Sequence, residues 1–181
     1  MYMRNRRTLR MPGYDYAGLG AYFITICAFE QAYIFGSIRN GEMNLNALGK
    51  ITTDCWRKLP DHFSGIRIDE WVVMPNHMHG IIWIVDRHVG ATHASPLQKP
   101  KGPKPQSIGS IIGSFKSAVT NRARTYKGAR DQIWQRNYHE HVIRDEGDLW
   151  AIRNYIQNNP SNWAKDEYAT IQIKKRDVPA S

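Results

Sequence analysis

Residues 71–84 read Trp71-Val-Val-Met-Pro-Asn-His77-Met-His79-Gly-Ile-Ile-Trp-Ile84, an apolar run in which two histidines stand one residue apart. Alternate side chains of a β-strand share a face. A strand here therefore projects His77 and His79 the same way, with Cβ atoms about 6.5–7 Å apart, and sends Met78 to the opposite side. Neutral imidazole is the commonest protein metal ligand, and two on one rigid strand supply half of a coordination shell without distorting the backbone. Taken alone, the pair reads as two partly buried histidines, each hydrogen-bonded to a carbonyl. The rest of the chain decides between the two readings.

Working outward, residues 66–74 and 79–85 are predicted strands separated by Pro75-Asn76, forming a hairpin or one bent element. Upstream, Ala21-Tyr-Phe-Ile-Thr-Ile-Cys-Ala28 has the aromatic and β-branched content of a central strand. Residues 33–38 and 42–45 flank the turn-forming Arg39-Asn-Gly41 as a small hairpin. Asn46 then caps a helix through Leu48, Ile51, Cys55, Trp56 and Leu59, which Pro60 stops. Residues 87–106 carry Gly90, Gly102 and prolines at 96, 100, 103 and 105, the composition of a flexible loop. Ser107 caps the next helix, with Ile108, Ile111, Ile112, Phe115 and Val119 as its apolar stripe and Lys116, Arg122 and Arg124 on its polar side. Residues 133–143 have strand character. Residues 145–159 are helical, with Asp145, Glu146 and Asp148 in the first turn, where the helix dipole favours acids, and Pro160 at the end. Strands alternating with two or three helices, without a Gly-rich phosphate loop, predict an α+β fold: a ferredoxin-like antiparallel sheet with helices packed on it.

The chain has 181 residues and 41% hydrophobic content, enough to bury a core and consistent with one domain over 1–181, with a basic arm at about 1–13. Lys and Arg number 25 against 16 acidic residues, a net charge of +9 that favours a polyanionic partner, nucleic acid first. Arg6 and Arg7 of the arm, with Lys116, Arg122, Arg124, Arg136 and Arg144, are the candidate DNA-binding residues. No apolar segment approaches the roughly 18 residues needed to span a bilayer, and no signal-type apolar core follows the basic start. A cytoplasmic protein with no membrane association is expected. Cys27 and Cys55 form neither a C-x-x-C motif nor a disulfide framework and read as buried thiols.

The late helix contains Tyr155-Ile-Gln-Asn-Asn159-Pro160. A spacing of four places Tyr155 and Asn159 on one helical face, about 6 Å apart along the axis. Met74-Pro-Asn-His77-Met-His79, then Trp134-Gln-Arg-Asn-Tyr-His-Glu-His141-Val-Ile-Arg144, then this segment with Trp163 close behind, occur in that order. Together they resemble the single-tyrosine HUH transposases of bacterial insertion sequences, and most of all the REP-associated tyrosine transposases. The resemblance covers about residues 20–163. It implies a ferredoxin-like fold with the catalytic tyrosine on a C-terminal helix beside the sheet, His77 and His79 as ligands of Mg²⁺ or Mn²⁺, Tyr155 as nucleophile, and Asn159 as a third, amide-oxygen ligand. Some relatives carry glutamine at that last position. The implied activity is nicking and rejoining of single-stranded or hairpin DNA at palindromic repeats through a 5′-phosphotyrosine intermediate, by a monomer or a homodimer. The competing readings are a DNA-binding regulator that uses the same groove without cleavage, and a replication initiator or relaxase, which the short chain disfavours. His139 and His141 form a second i, i+2 pair, but no tyrosine or amide follows at helical spacing in that element, so they read as DNA-contacting or sheet-surface residues.

Overall fold

Strand β1 (Gly20–Cys27) lies at the centre of a four-stranded sheet, and its alternation sorts the two layers that cover it. Tyr22, Ile24 and Ile26 point to one side into the larger core; Ala21 and Phe23 point to the other. The structure is a computed structural model that describes residues 18–85, 106–125, 132–166, 168 and 169. The basic arm with Arg6 and Arg7, residues 87–105 of the Pro/Gly-rich segment, and the basic residues after Arg124 in 126–131 and 174–176 lie outside the described residues.

After β1 comes the small hairpin β2 (Gly36–Arg39) and β3 (Glu42–Leu45). Its turn places Asn40 at φ 52° and Gly41 at φ 77°, the left-handed pair that a two-residue hairpin of this twist requires. Helix α1 (Ala47–Arg57) is capped as expected, with the Gly49 amide donating to Asn46 Oδ1 at 2.9 Å. Pro60 does not simply stop that helix. It falls in the first turn of a separate one-turn helix, α2 (Leu59–His62), where a missing N–H costs nothing. Strands β4 (Ile66–Val73) and β5 (His77–Ile84) form the expected hairpin, with a register shift between Ile68 and Trp71. Helix α3 (Ile108–Ala123) buries Ile108, Ile111, Ile112, Phe115 and Val119.

Residues 133–143 form less strand than expected: only His139–Ile143 makes β6, while Trp134 contributes one isolated bridge to Ala28. In the stretch between that bridge and β6 the Lys116 ammonium donates to the carbonyls of Gln135 at 2.8 Å and Asn137 at 3.0 Å. Helix α4 (Glu146–Asn158) follows, capped by Asp145, whose Oδ1 accepts from the Asp148 amide at 2.8 Å.

The sheet order is β4-β5-β1-β6, antiparallel throughout. Setting the β2–β3 hairpin aside, this is the β-α-β-β-α-β order of a ferredoxin-like fold, so the expected α+β class holds. Helices α1 and α3 pack together on one face. Trp56 and Phe115 meet there edge to face, 5.2 Å apart, and Gly80 of β5 leaves room for the Trp56 ring where a Cβ would collide. Helix α4 covers the opposite face through Leu149, Ile152 and Ile156 against Ala21, Phe23, Ile81 and Trp83. Among the described residues no helix is long and apolar enough to cross a membrane.

Candidate metal and tyrosine site

The face of β5 that α4 covers carries both histidines. His77 and His79 are 0% and 1% exposed, and their Nε2 atoms stand 3.0 Å apart. Met78 points into the other core, as alternation requires. Each ring is fixed from behind. Asn76 Oδ1 accepts from His77 Nδ1 at 2.8 Å, while the Asn76 amide nitrogen donates to the Tyr168 carbonyl at 3.0 Å. A side-chain amide oxygen only accepts, so His77 carries its proton on Nδ1 and keeps the Nε2 lone pair toward His79. His79 Nδ1 is hydrogen-bonded to Thr25 Oγ1 at 2.8 Å, across the β1–β5 pair that sets Thr25 opposite His79. A hydroxyl both donates and accepts, so Thr25 serves either tautomer of His79. These two partners are the kind of outer contact that orients ligating imidazoles.

Aromatic rings wall the pair. His79 stacks on Phe23 at 5.3 Å, and His77 lies between Tyr168 at 4.5 Å and Trp163 at 6.0 Å. Burial holds His79 down to about 3. Burial, then the neighbouring His79, holds His77 well below the usual imidazole range. Both rings are therefore neutral near pH 7, the state in which imidazole ligates a cation. Two nitrogens 3.0 Å apart also match what ligands roughly 2.1 Å from one ion make across an angle of about 90°.

The same shifts predict an acid-labile fold. The unfolded chain titrates its histidines near 6.5 and the folded pair far lower, so the unfolded state binds more protons in between and stability falls as the pH drops below 6.5. Urea unfolding in chelator at pH 7.5, 6.0 and 5.0 should show a declining midpoint, and replacing both histidines by Gln should flatten that decline.

Tyr155 projects from α4 toward this pair. Its hydroxyl is 3.2 Å from His79 Nε2, its ring meets Phe23 edge-on at 6.1 Å, and its side is open to solvent, with 44% of the residue exposed. Phenol and imidazoles belong to one chain. A clamp sets the helix on the sheet: Arg153 Nε and Nη2 donate to the two oxygens of Asp69 at 2.9 and 2.6 Å, and the Trp83 indole donates to Asp69 Oδ2 at 2.9 Å. Arg153 is the main cause that holds the Asp69 carboxyl down at about 2. Asp69 lies where the β4–β5 register shifts, and Arg153 lies two residues before the tyrosine.

Asn159, the C-cap of α4, is buried. Its Nδ2 donates to Asp166 Oδ2 at 3.0 Å, and its Oδ1 is buried without a hydrogen-bond partner among the described residues. Asp166 was not singled out by the sequence, yet its carboxylate and the two histidines lie within 4.8 Å of one another. It follows a short 3-10 turn (Trp163–Lys165), beyond the last motif residue.

The candidate DNA-binding residues divide. Lys116 turns inward: burial lowers it to about 8, and its donors go to main-chain carbonyls. Arg122 reaches Asp54 at 3.4 Å and the Cys55 sulfur at 3.6 Å on the α1–α3 side, away from the histidines. Arg124 is exposed just beyond α3. Arg136 and Arg144 are exposed at the two ends of β6, the edge strand on the β1 side. His141 pairs with Asp148 at 2.8 Å, so the second histidine pair is not a second cluster of ligands among the described residues.

No family model matches the chain. An uncharacterized protein of Haemophilus influenzae (strain ATCC 51907 / DSM 11121 / KW20 / Rd) is 45% identical over 170 residues, covering 91% of this chain and 93% of that protein. Among solved structures, a REP-associated tyrosine transposase bound to a REP hairpin superposes with a TM-score of 0.53 at 20% identity, over 99% of this chain and 81% of that one. The chain belongs to one family with the Haemophilus protein and has the fold of a REP-associated tyrosine transposase. The late helix lies on the face of the sheet opposite α1 and α3, which is where Tyr155 meets His79.

Proposed function

We propose that the chain is a metal-dependent transposase or endonuclease that nicks and rejoins single-stranded DNA at hairpin or palindromic elements through a 5′-phosphotyrosine intermediate. One observation carries the reading: the phenol oxygen of Tyr155, a residue 44% exposed, lies 3.2 Å from the nitrogen of one of two buried, neutral histidines whose Nε2 atoms converge. The structural neighbour's REP hairpin supplies the substrate class. A phenol titrating near 10 is a weak nucleophile at neutral pH and needs an activated phosphodiester. His77 and His79 would hold a divalent cation, Mg²⁺ or Mn²⁺, which when bound would supply positive charge to activate the phosphodiester. Phe23 and the Arg153–Asp69 clamp set the tyrosine. Its oxygen forms the new bond to phosphorus as the bond from phosphorus to O3′ breaks; the phenol loses one proton and the leaving O3′ takes one up. The phosphoester energy stays in the adduct, so a 3′-OH can reverse the step without ATP. Arg136 and Arg144, exposed beyond the two ends of β6, and Arg122 and Arg124 are assigned to phosphate contacts, as are Arg6 and Arg7 of the arm.

The test uses a hairpin oligonucleotide library labelled at either end, with Mn²⁺ or Mg²⁺. The expected product is a denaturation-resistant protein–DNA species carrying the 5′-phosphate side of the break, with a free 3′-OH on the other fragment. Binding without any cleavage would favour the non-cleaving regulator instead. Affinity for the hairpin should also fall with salt, log K dropping against log salt with a slope of about −0.7 per single-strand phosphate neutralised. Arg136→Ala or Arg144→Ala should each flatten that slope by nearly one phosphate. Salt-independent binding, or equal preference for plain duplex, contradicts the reading.

A further inference from the structure

The buried histidine pair brings no charge of its own. Imidazole ligates a cation only as the neutral ring, and Phe23, Trp163 and Tyr168 pack against His77 and His79. A dication held by neutral ligands alone in such surroundings keeps its full charge until substrate phosphate arrives, which is unfavourable in the free protein. An amide oxygen from Asn159 would not change that balance. A carboxylate would, and one is present: Asp166, 9% exposed, completes a three-member cluster with the histidines, its oxygen within 4.8 Å of their nitrogens. The Tyr168 amide donates to its Oδ1 at 2.7 Å and Asn159 Nδ2 to its Oδ2 at 3.0 Å. An amide can face a carboxylate only with its nitrogen, so while Asp166 stays ionised Asn159 orients it.

We infer that the third protein ligand of the cation is the Asp166 carboxylate, with Asn159 a positioning residue that holds it. The ligand set is then two imidazoles and one carboxylate, a mixed set that suits Mn²⁺ as well as Mg²⁺. The inference rests on the metal reading of the histidine pair, and the experiment separates the two.

Mn²⁺ affinity of the full chain without DNA is measured by calorimetry, and Co²⁺ absorption spectra report the ligand set. The unaltered chain should bind one Mn²⁺. Asp166→Asn should weaken it at least a hundredfold and shift the Co²⁺ bands. Asn159→Ala should weaken it about tenfold, as loss of an outer partner does, with the bands unmoved. Asp166→Asn within threefold of the unaltered chain, or losing less than Asn159→Ala, overturns the assignment. If Asp166→Asn does not fold, Asn159→Ala decides: unmoved Co²⁺ bands support the carboxylate, and altered bands make the amide oxygen the ligand. His77→Ala and His79→Ala must each abolish Mn²⁺ binding; if they do not, the metal reading fails and this inference with it.

Discussion

Tyr155→Phe should lose the covalent protein–DNA species entirely and lower strand cleavage by at least about a thousandfold, because it removes the one atom proposed to bond to phosphorus. Folding should survive. The ring keeps its edge contact with Phe23, and the hydroxyl of this partly exposed residue contributes within about 1 kcal/mol to stability. Hairpin affinity should stay within a fewfold of the unaltered chain, since the proposed phosphate contacts are assigned to other residues. Gel analysis after denaturation reads the adduct directly, and a circular-dichroism melt reads the fold. An adduct that persists in Tyr155→Phe sinks the assignment and directs the search to Tyr138, which sits before β6 with Lys116 6.0 Å from its ring.

The second large effect belongs to the histidines. His77→Ala and His79→Ala should each reduce cleavage by at least about a thousandfold at saturating Mn²⁺ while hairpin binding in chelator is retained. Each also leaves a buried partner behind, Asn76 Oδ1 in one case and the Thr25 hydroxyl in the other, a cost of about 1–3 kcal/mol that a domain of ordinary stability tolerates. Urea unfolding monitors that cost beside the cleavage assay. Full activity in either variant would mean that the pair is a hydrogen-bonded core feature and nothing more.

Local signals made most of the framework legible. The H-x-H alternation, the Asn46 and Ser107 caps, the acidic first turn of α4 and the Asn-Gly turn all depend on neighbours a few residues away, and each is present in the fold. What escaped depends on register and on long-range contact. Thr25 reaches His79 only because β1 pairs with β5 in one particular register, and sequence spacing does not carry that number. Lys116 looked like a solvated helix cation. Nineteen positions separate it from Gln135, whose carbonyl it binds, so its burial was invisible locally. Asp166 escaped for a similar reason: it lies past the helix end, in a turn with no periodicity, and is brought to the histidines by the fold of the whole segment.

The Asp69–Arg153 clamp and the 3.2 Å approach of Tyr155 to its own His79 also bear on kinetic order. In the proposed reaction this chain's phenol acts beside its own imidazoles, so cleavage per chain should not change on dilution, and mixing Tyr155→Phe copies with His79→Ala copies should restore no activity.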